Sequence, residues 1–114
     1  MFNLLVEHSP TALDAVYGAI AHPVRRSLLE RLSGGSARVT DLADRYDVSL
    51  AAVSKHIRVL EGAGLVRRLV TGREHWLVLE PARLEPATQW LDTYRRFWEA
   101  SLDRLEARLK DPNP

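Results

Sequence analysis

Cysteine is absent from the 114 residues, which removes disulfide scaffolds, thiolate zinc sites, thiol nucleophiles and thiol redox switches. Net charge is nearly absent too. The 16 Lys and Arg are opposed by 15 Asp and Glu, which excludes a polyanion-coating tail or a disordered acidic segment as the main feature. Any nucleic-acid signal must therefore be local. Apolar runs of about 18 residues are missing, so no membrane span is expected. The opening MFNLLVEHSP lacks the basic start and long apolar stretch of a secretory signal, and a cytoplasmic location without a membrane partner is the expectation. What remains is ordinary: 46% hydrophobic and 27% charged residues. A single domain over 1–114 of this size buries about 65% of its unfolded surface.

Hydrophobic periodicity divides the chain into helices and one hairpin. Ser9 and Pro10 read as an N-cap and first turn, followed by Leu13, Val16, Tyr17 and Ile20 at helical spacing, which predicts a helix over 9–21. Pro23 opens a second helix, 23–33, whose stripe is Val24, Leu28, Leu29 and Leu32 and whose stop is Ser33-Gly34-Gly35-Ser36. Thr40 is expected to cap a short third helix, 40–46, carrying Leu42, Ala43 and Tyr46. Ser49 then caps a fourth, 49–62, with Val53, Ile57 and Leu60 on one face and Gly62-Ala63-Gly64 at its end. The short gap between the third and fourth helices is the turn of a helix-turn-helix. Two β-branched or aromatic runs, 65–70 and 75–79, flank Thr71-Gly72-Arg73-Glu74 and predict a hairpin over 65–79, the wing of a winged helix. From Pro81 a helix over 81–110 carries Leu84, Ala87, Leu91, Tyr94, Trp98, Leu102, Leu105 and Leu109 at alternating three- and four-residue steps. Asp111-Pro112-Asn113-Pro114 reads as a frayed end. The fold expected is mainly α with a small β-hairpin wing: a winged helix-turn-helix with long N- and C-terminal dimerisation helices.

The fourth helix carries the chemistry. With Val53, Ile57 and Leu60 facing inward, about 100° per residue sets Ala51, Lys55 and Arg58 on the opposite face, flanked by Ala52 and Ser54. A helix entering the major groove needs small residues at its leading turn and Lys or Arg to reach phosphates or guanine edges. The window Ser49 to Trp76 holds Lys55, Arg58, Arg67, Arg68 and Arg73 against Glu61 and Glu74, a local surplus of three positive charges. On an arbitrary helix Lys55 and Arg58 would be read as solvated surface; the short helix and turn before them and the hairpin after them reverse that reading. Arg73 at the wing tip faces phosphate or the minor groove, and Glu74 beside it weakens the local field. His56, near the inner edge, reads as a packing or phosphate-contacting residue, and Thr40 as a cap whose helix terminus could also hold a phosphate. The DNA-contact set is thus Thr40, Ser49, Ala51, Ala52, Ser54, Lys55, His56, Arg58 and Arg73. Paired carboxylates, a nucleophile elbow and a phosphate loop are all missing, and Gly34-Gly35 and Gly62 with Gly64 suit helix-ending turns, so no catalytic residue, enzyme activity or cofactor is expected.

The stretch Ala19-Ile20-Ala21-His22-Pro23-Val24-Arg25-Arg26-Ser27-Leu28-Leu29 and the segment VSLAAVSKHIRVLEGAGLV resemble the helix junction and recognition helix of the ArsR/SmtB family of bacterial winged-helix repressors. The tail WLDTYRRFWEASLDRLEARL is similar to a branch in which a long aromatic last helix pairs across a two-fold axis. The resemblance implies a homodimer that binds a pseudo-palindromic double-stranded operator and represses transcription. Leu13, Tyr17, Trp90, Leu91, Tyr94, Phe97, Trp98, Leu102 and Leu105 are the expected dimer face, because so long an aromatic helix has more apolar surface than one small winged helix can cover. Both family metal sites lack their ligands. The third-helix stretch Arg38-Val39-Thr40-Asp41 holds no thiolate, the last helix holds no histidine, and His8, His22, His56 and His75 are scattered over separate elements without helical metal spacing. No metal is expected. The signal stays open between a small apolar effector between the terminal helices, pH acting through His56 or His75, and the protein's own concentration. The competing reading is a winged-helix interaction module that uses its aromatic last helix to bind a protein.

Overall fold

A computed structural model of the chain describes residues 12–110. The proposed cap at Ser9 and Pro10, His8, and the end from Asp111 to Pro114 lie outside the described residues. In chain order the elements are α1 (12–20), α2 (Pro23–Leu32), β1 (Ala37–Arg38), α3 (Val39–Ala43), α4 (Leu50–Gly62), β2 (Val66–Thr71), β3 (Glu74–Leu79), a 3-10 turn (Pro81–Arg83) and α5 (Leu84–Lys110).

The junction of α1 and α2 is built by the residues around Pro23. Pro23 occupies the first turn of α2, where its missing N–H costs nothing. His22 is the N-cap, its Nδ1 accepting from the Val24 backbone N–H at 3.1 Å. Arg25 and Arg26 reach back over the end of α1: Arg25 donates to the carbonyls of Ala19 (2.6 Å) and Gly18 (3.2 Å), Arg26 to that of Ile20 (2.8 Å). The last carbonyls of a helix lack partners within it, and here only that of Gly18 also accepts a backbone N–H, from Ala21 at 3.3 Å; two cations there also suit the negative end of the helix dipole. The Pro-Val-Arg-Arg motif is thus a clamp that sets the angle between α1 and α2.

Two sequence expectations are corrected at α3. The helix spans Val39–Ala43 rather than 40–46, and Arg38, not Thr40, is its N-cap, with no side-chain capping bond. The reason lies upstream: Ala37 and Arg38 pair with Leu77 and Trp76 of β3, so the chain leaves an extended strand straight into helical geometry at Val39. A two-residue strand is too short to show alternation, which is why the sequence did not disclose it. Tyr46 lies beyond the helix, its hydroxyl donating to Ser27 Oγ at 2.9 Å.

The end of α4 is a Schellman motif. Leu65 N–H bonds to the Leu60 carbonyl (3.0 Å) and Gly64 N–H to that of Glu61 (2.9 Å), with Gly64 at φ +75°. The turn delivers the chain into β2, which pairs antiparallel with β3 from Val66↔Leu79 to Thr71↔Glu74. The two-residue loop Gly72–Arg73 closes the hairpin, and Gly72 at φ +62° supplies the left-handed first position of a II′ turn. The sheet order is β1-β3-β2. Leu28, Leu42, Val53, Ile57, Leu60, Leu65 and Leu77 form the centre of the core, joining α2, α3, α4 and the sheet.

Helix α5 begins after the 3-10 turn, three residues later than the expected start at Pro81. Of its 27 residues only Ala87 is buried. Its root is tied to α1 by Tyr17, whose hydroxyl donates to the Ala87 carbonyl at 2.9 Å and whose ring meets Trp90 edge-on at 5.9 Å. Beyond that root the helix, about 40 Å long at 1.5 Å per residue, projects from the core, consistent with overall extents of 71 × 41 × 22 Å.

Candidate nucleic-acid interface

Helix α4 is placed by its buried side. Val53, Ile57 and Leu60 are fully buried, and the Ser49 hydroxyl caps the helix by accepting from Ala52 N–H at 3.1 Å. Ala51, Lys55 and Arg58 consequently point to solvent, with Ala52 and Ser54 half-buried at the margins of the same face. Thr40 on the first turn of α3, Leu50 and Ser54 of α4 and Arg73 of the wing line one groove of about 310 Å³. Arg73 and Thr40 are both exposed. Leu50 was missed by the sequence reading. It is 55% exposed at the first residue of α4 and lines the same groove, and its only sequence signal was its place next to the cap.

The five cations counted from sequence separate into two groups. Arg67 is held by Glu80 at 2.6 Å and Arg68 by Glu61 at 2.8 Å, with Arg68 also donating to His75 Nδ1 at 3.2 Å. Hydrogen bonding to Glu61 raises the Arg68 pKa against the opposing effect of its burial. Among the described residues no ion pair engages Lys55, Arg58 or Arg73. The local surplus therefore resolves into three available cations, two on the outer face of α4 and one on the wing. Glu74, expected to weaken the field at the wing, is engaged by Arg38 at 2.8 Å.

His56 turns away from this face. Its ring packs on His22 with centroids 4.3 Å apart, and Arg25 Nη1 donates to its Nδ1 at 3.0 Å. Burial first, then the neighbouring His22, Arg25 and Lys55, hold its pKa below the ordinary 6.5. Within the DNA-contact set predicted from sequence, His56 is thus engaged with the α1–α2 clamp, because its position on α4 lies beside the inward stripe.

The dimer face divides similarly. Leu13 and Tyr17 are half-buried and already pack against the protomer's own core. Trp90, Leu91, Tyr94, Phe97, Trp98, Leu102 and Leu105 are exposed, Phe97 and Trp98 to 69% and 61%. Among the described residues, no group of three or more His, Cys, Asp and Glu side chains is arranged to hold a metal, and no helix is long and apolar enough to cross a membrane.

A short helix, a turn, a second helix with a small and cationic outer face, and a wing with an arginine at its tip define a winged helix-turn-helix DNA-binding protein. Residues 20–68 match the model of a helix-turn-helix domain family. The chain is 37% identical over 89 residues to the HTH-type transcriptional regulator Rv2034 of Mycobacterium tuberculosis, covering 78% of this chain and 80% of that one. It is 27% identical over 79 residues to the transcriptional repressor SdpR of Bacillus subtilis, 69% of this chain and 88% of the relative. The crystal structure of an ArsR family transcriptional regulator, RHA00566, superposes with a TM-score of 0.74 at 36% identity, over 79% of this chain and 93% of that one. The chain belongs to the ArsR family of transcriptional regulators.

Proposed function

We propose that the protein is a homodimeric, metal-independent, non-enzymatic repressor in the cytoplasm that reads a pseudo-palindromic operator, with α4 of each protomer in successive major grooves about 34 Å apart. The observation that carries this reading is the set of available cations, Lys55 and Arg58 on the outer face of α4 and Arg73 on the wing, beside the small residues Ala51 and Ser54. Lys55 and Arg58 supply base-edge or phosphate contacts, Ser49, Ala51, Ala52 and Ser54 allow close approach, and Thr40 and Arg73 meet the flanking backbone. Repression is supported by the likeness to SdpR, whose name is that of a transcriptional repressor. The exposed aromatic face of α5 supports dimerisation. Metal independence rests on the missing family ligands, with no thiolate at residues 38–41 and no histidine on α5. A small-molecule effector between the terminal helices remains part of the proposal as a class of signal only.

The test is a gel-shift titration on the DNA upstream of the protein's own gene, repeated across salt. Affinity should fall linearly in log–log form with a slope of about −0.9 per neutralised phosphate. A salt-independent affinity would contradict the reading. The exposed aromatics of α5 also suit a protein-binding module, which would give no sequence-selective shift at about micromolar protein.

A further inference from the structure

Arg38 is tied to both walls of the groove that holds Arg73. It ends β1, opposite Trp76 of β3, and immediately precedes α3. From that junction its guanidinium reaches carboxylates on two elements. Nε donates to Asp41 Oδ2 at 3.0 Å and Nη2 to Oδ1 at 3.4 Å, in the first turn of α3; Nη1 donates to Glu74 Oε2 at 2.8 Å, at the start of β3. The guanidinium carbon lies 5.9 Å from the Trp76 ring centroid, within cation–π range. Ion pairs this exposed add little to folding stability, so their consequence is to be sought in the field and geometry of the groove.

The two carboxylates stand where negative charge is costly to a DNA-binding protein. Glu74 directly follows Arg73 in the wing, and Arg38, Thr40, Ser54, Arg73 and Glu74 line one groove. A phosphate drawn to Arg73 approaches Glu74 as well. We propose that Arg38 is a positioning residue for DNA binding: it holds the Glu74 carboxylate away from the phosphates and cross-links the wing to α3, so that Arg73 meets DNA in register with α4. Arg38 acts through Glu74 and is not itself a DNA contact. The inference rests on the DNA-binding reading of this groove.

The test is a double-mutant cycle on a labelled duplex that the wild-type protein selects from a random library. Arg38→Ala should weaken binding at least about tenfold, because it leaves a bare carboxylate facing the phosphates, a like-charge juxtaposition across the interface. In the Glu74→Gln background the same substitution should cost less than about threefold, because the carboxylate it masks is gone. Arg38→Lys, which keeps the charge but lacks the fork that bridges Asp41 and Glu74, should fall between wild type and Arg38→Ala. Thermal melts establish that each variant is folded, and Arg38→Gln, which also removes the charge, replaces Arg38→Ala in both backgrounds if the Ala variant is not. An equal loss in both backgrounds would make Arg38 a direct DNA contact and overturn the inference, as would an Arg38→Ala variant, or an equally tight Lys and Ala pair, with wild-type affinity. A wild-type protein that selects no duplex would remove the DNA-binding reading and the inference with it, whereas a wild-type protein that binds while the cycle shows no coupling removes the inference alone.

Discussion

Arg58 and Arg67 have the same charge and lie nine positions apart, yet only one is free to meet a ligand. Arg67 is held by Glu80, just past the end of β3, while Arg58 stands on the outer face of α4 with no ion pair among the described residues. Arg58→Ala should therefore weaken operator binding by about 1–3 kcal/mol if the side chain is bidentate to guanine. Arg67→Ala should leave affinity within about 0.5 kcal/mol; a titration in which the two variants behave alike would remove this distinction. His56 supplies a prediction of another kind. Burial, His22, Arg25 and Lys55 lower its folded pKa, so from about pH 6.5 downward the unfolded chain takes up a proton that the folded chain refuses. Stability present above pH 6.5 is lost as pH falls through the folded pKa. Thermal melts from about pH 7.5 to 5 should show a falling Tm, and His56→Gln, which keeps an acceptor for Arg25, should flatten that part of the profile.

At the level of elements, the end of α4 decides where the wing goes. The Schellman bonds of Gly64 and Leu65 turn the chain into β2, and Glu80 N–H bonds to the Leu65 carbonyl at 2.8 Å, closing the base of the hairpin. Gly64→Ala forces a side chain into φ +75°, where the added Cβ would also lie 3.0 Å from Arg83 Cγ. Arg83 can swing aside, so the cost is mostly that of the backbone, about 1–2 kcal/mol, readable as a lowered urea midpoint. The α1–α2 clamp is a second deciding joint. Arg25 binds both the end of α1 and His56, so the recognition helix is braced against the element that carries Tyr17 and meets α5.

For the molecule as a whole, α5 is the feature a single protomer leaves unfinished. An aromatic ladder runs from Tyr17 through Trp90 to Tyr94, the latter pair with centroids 4.8 Å apart, and beyond it Phe97 and Trp98 are not covered by any of the described residues. A second copy is the cover that closed two-fold symmetry supplies most simply. Trp98→Asp should yield monomer by sedimentation and, with half of the paired site lost, abolish operator binding at concentrations where wild type binds. A variant that remains dimeric would refute the assignment of this face.

Much of this could be read from the residues in order. Val53, Ile57 and Leu60 set the facing of α4, Ser49 caps it, and Gly72 turns the wing; each follows from local spacing and caps. The third strand, the displaced start of α3, the clamp of Arg25 and Arg26 and the partnering of Arg38, Arg67 and Arg68 could not, because each is a contact between positions that chain order separates. Charge can be counted along a sequence, but whether a cation is available depends on which carboxylate folding brings beside it. The sequence determined that the protein carries a helix-turn-helix and a wing; the tertiary structure decided which cations between Ser49 and Trp76 stand without an ion pair among the described residues, namely Lys55, Arg58 and Arg73, since the pairs that occupy Arg67 and Arg68 form only when helix, sheet and wing are packed together.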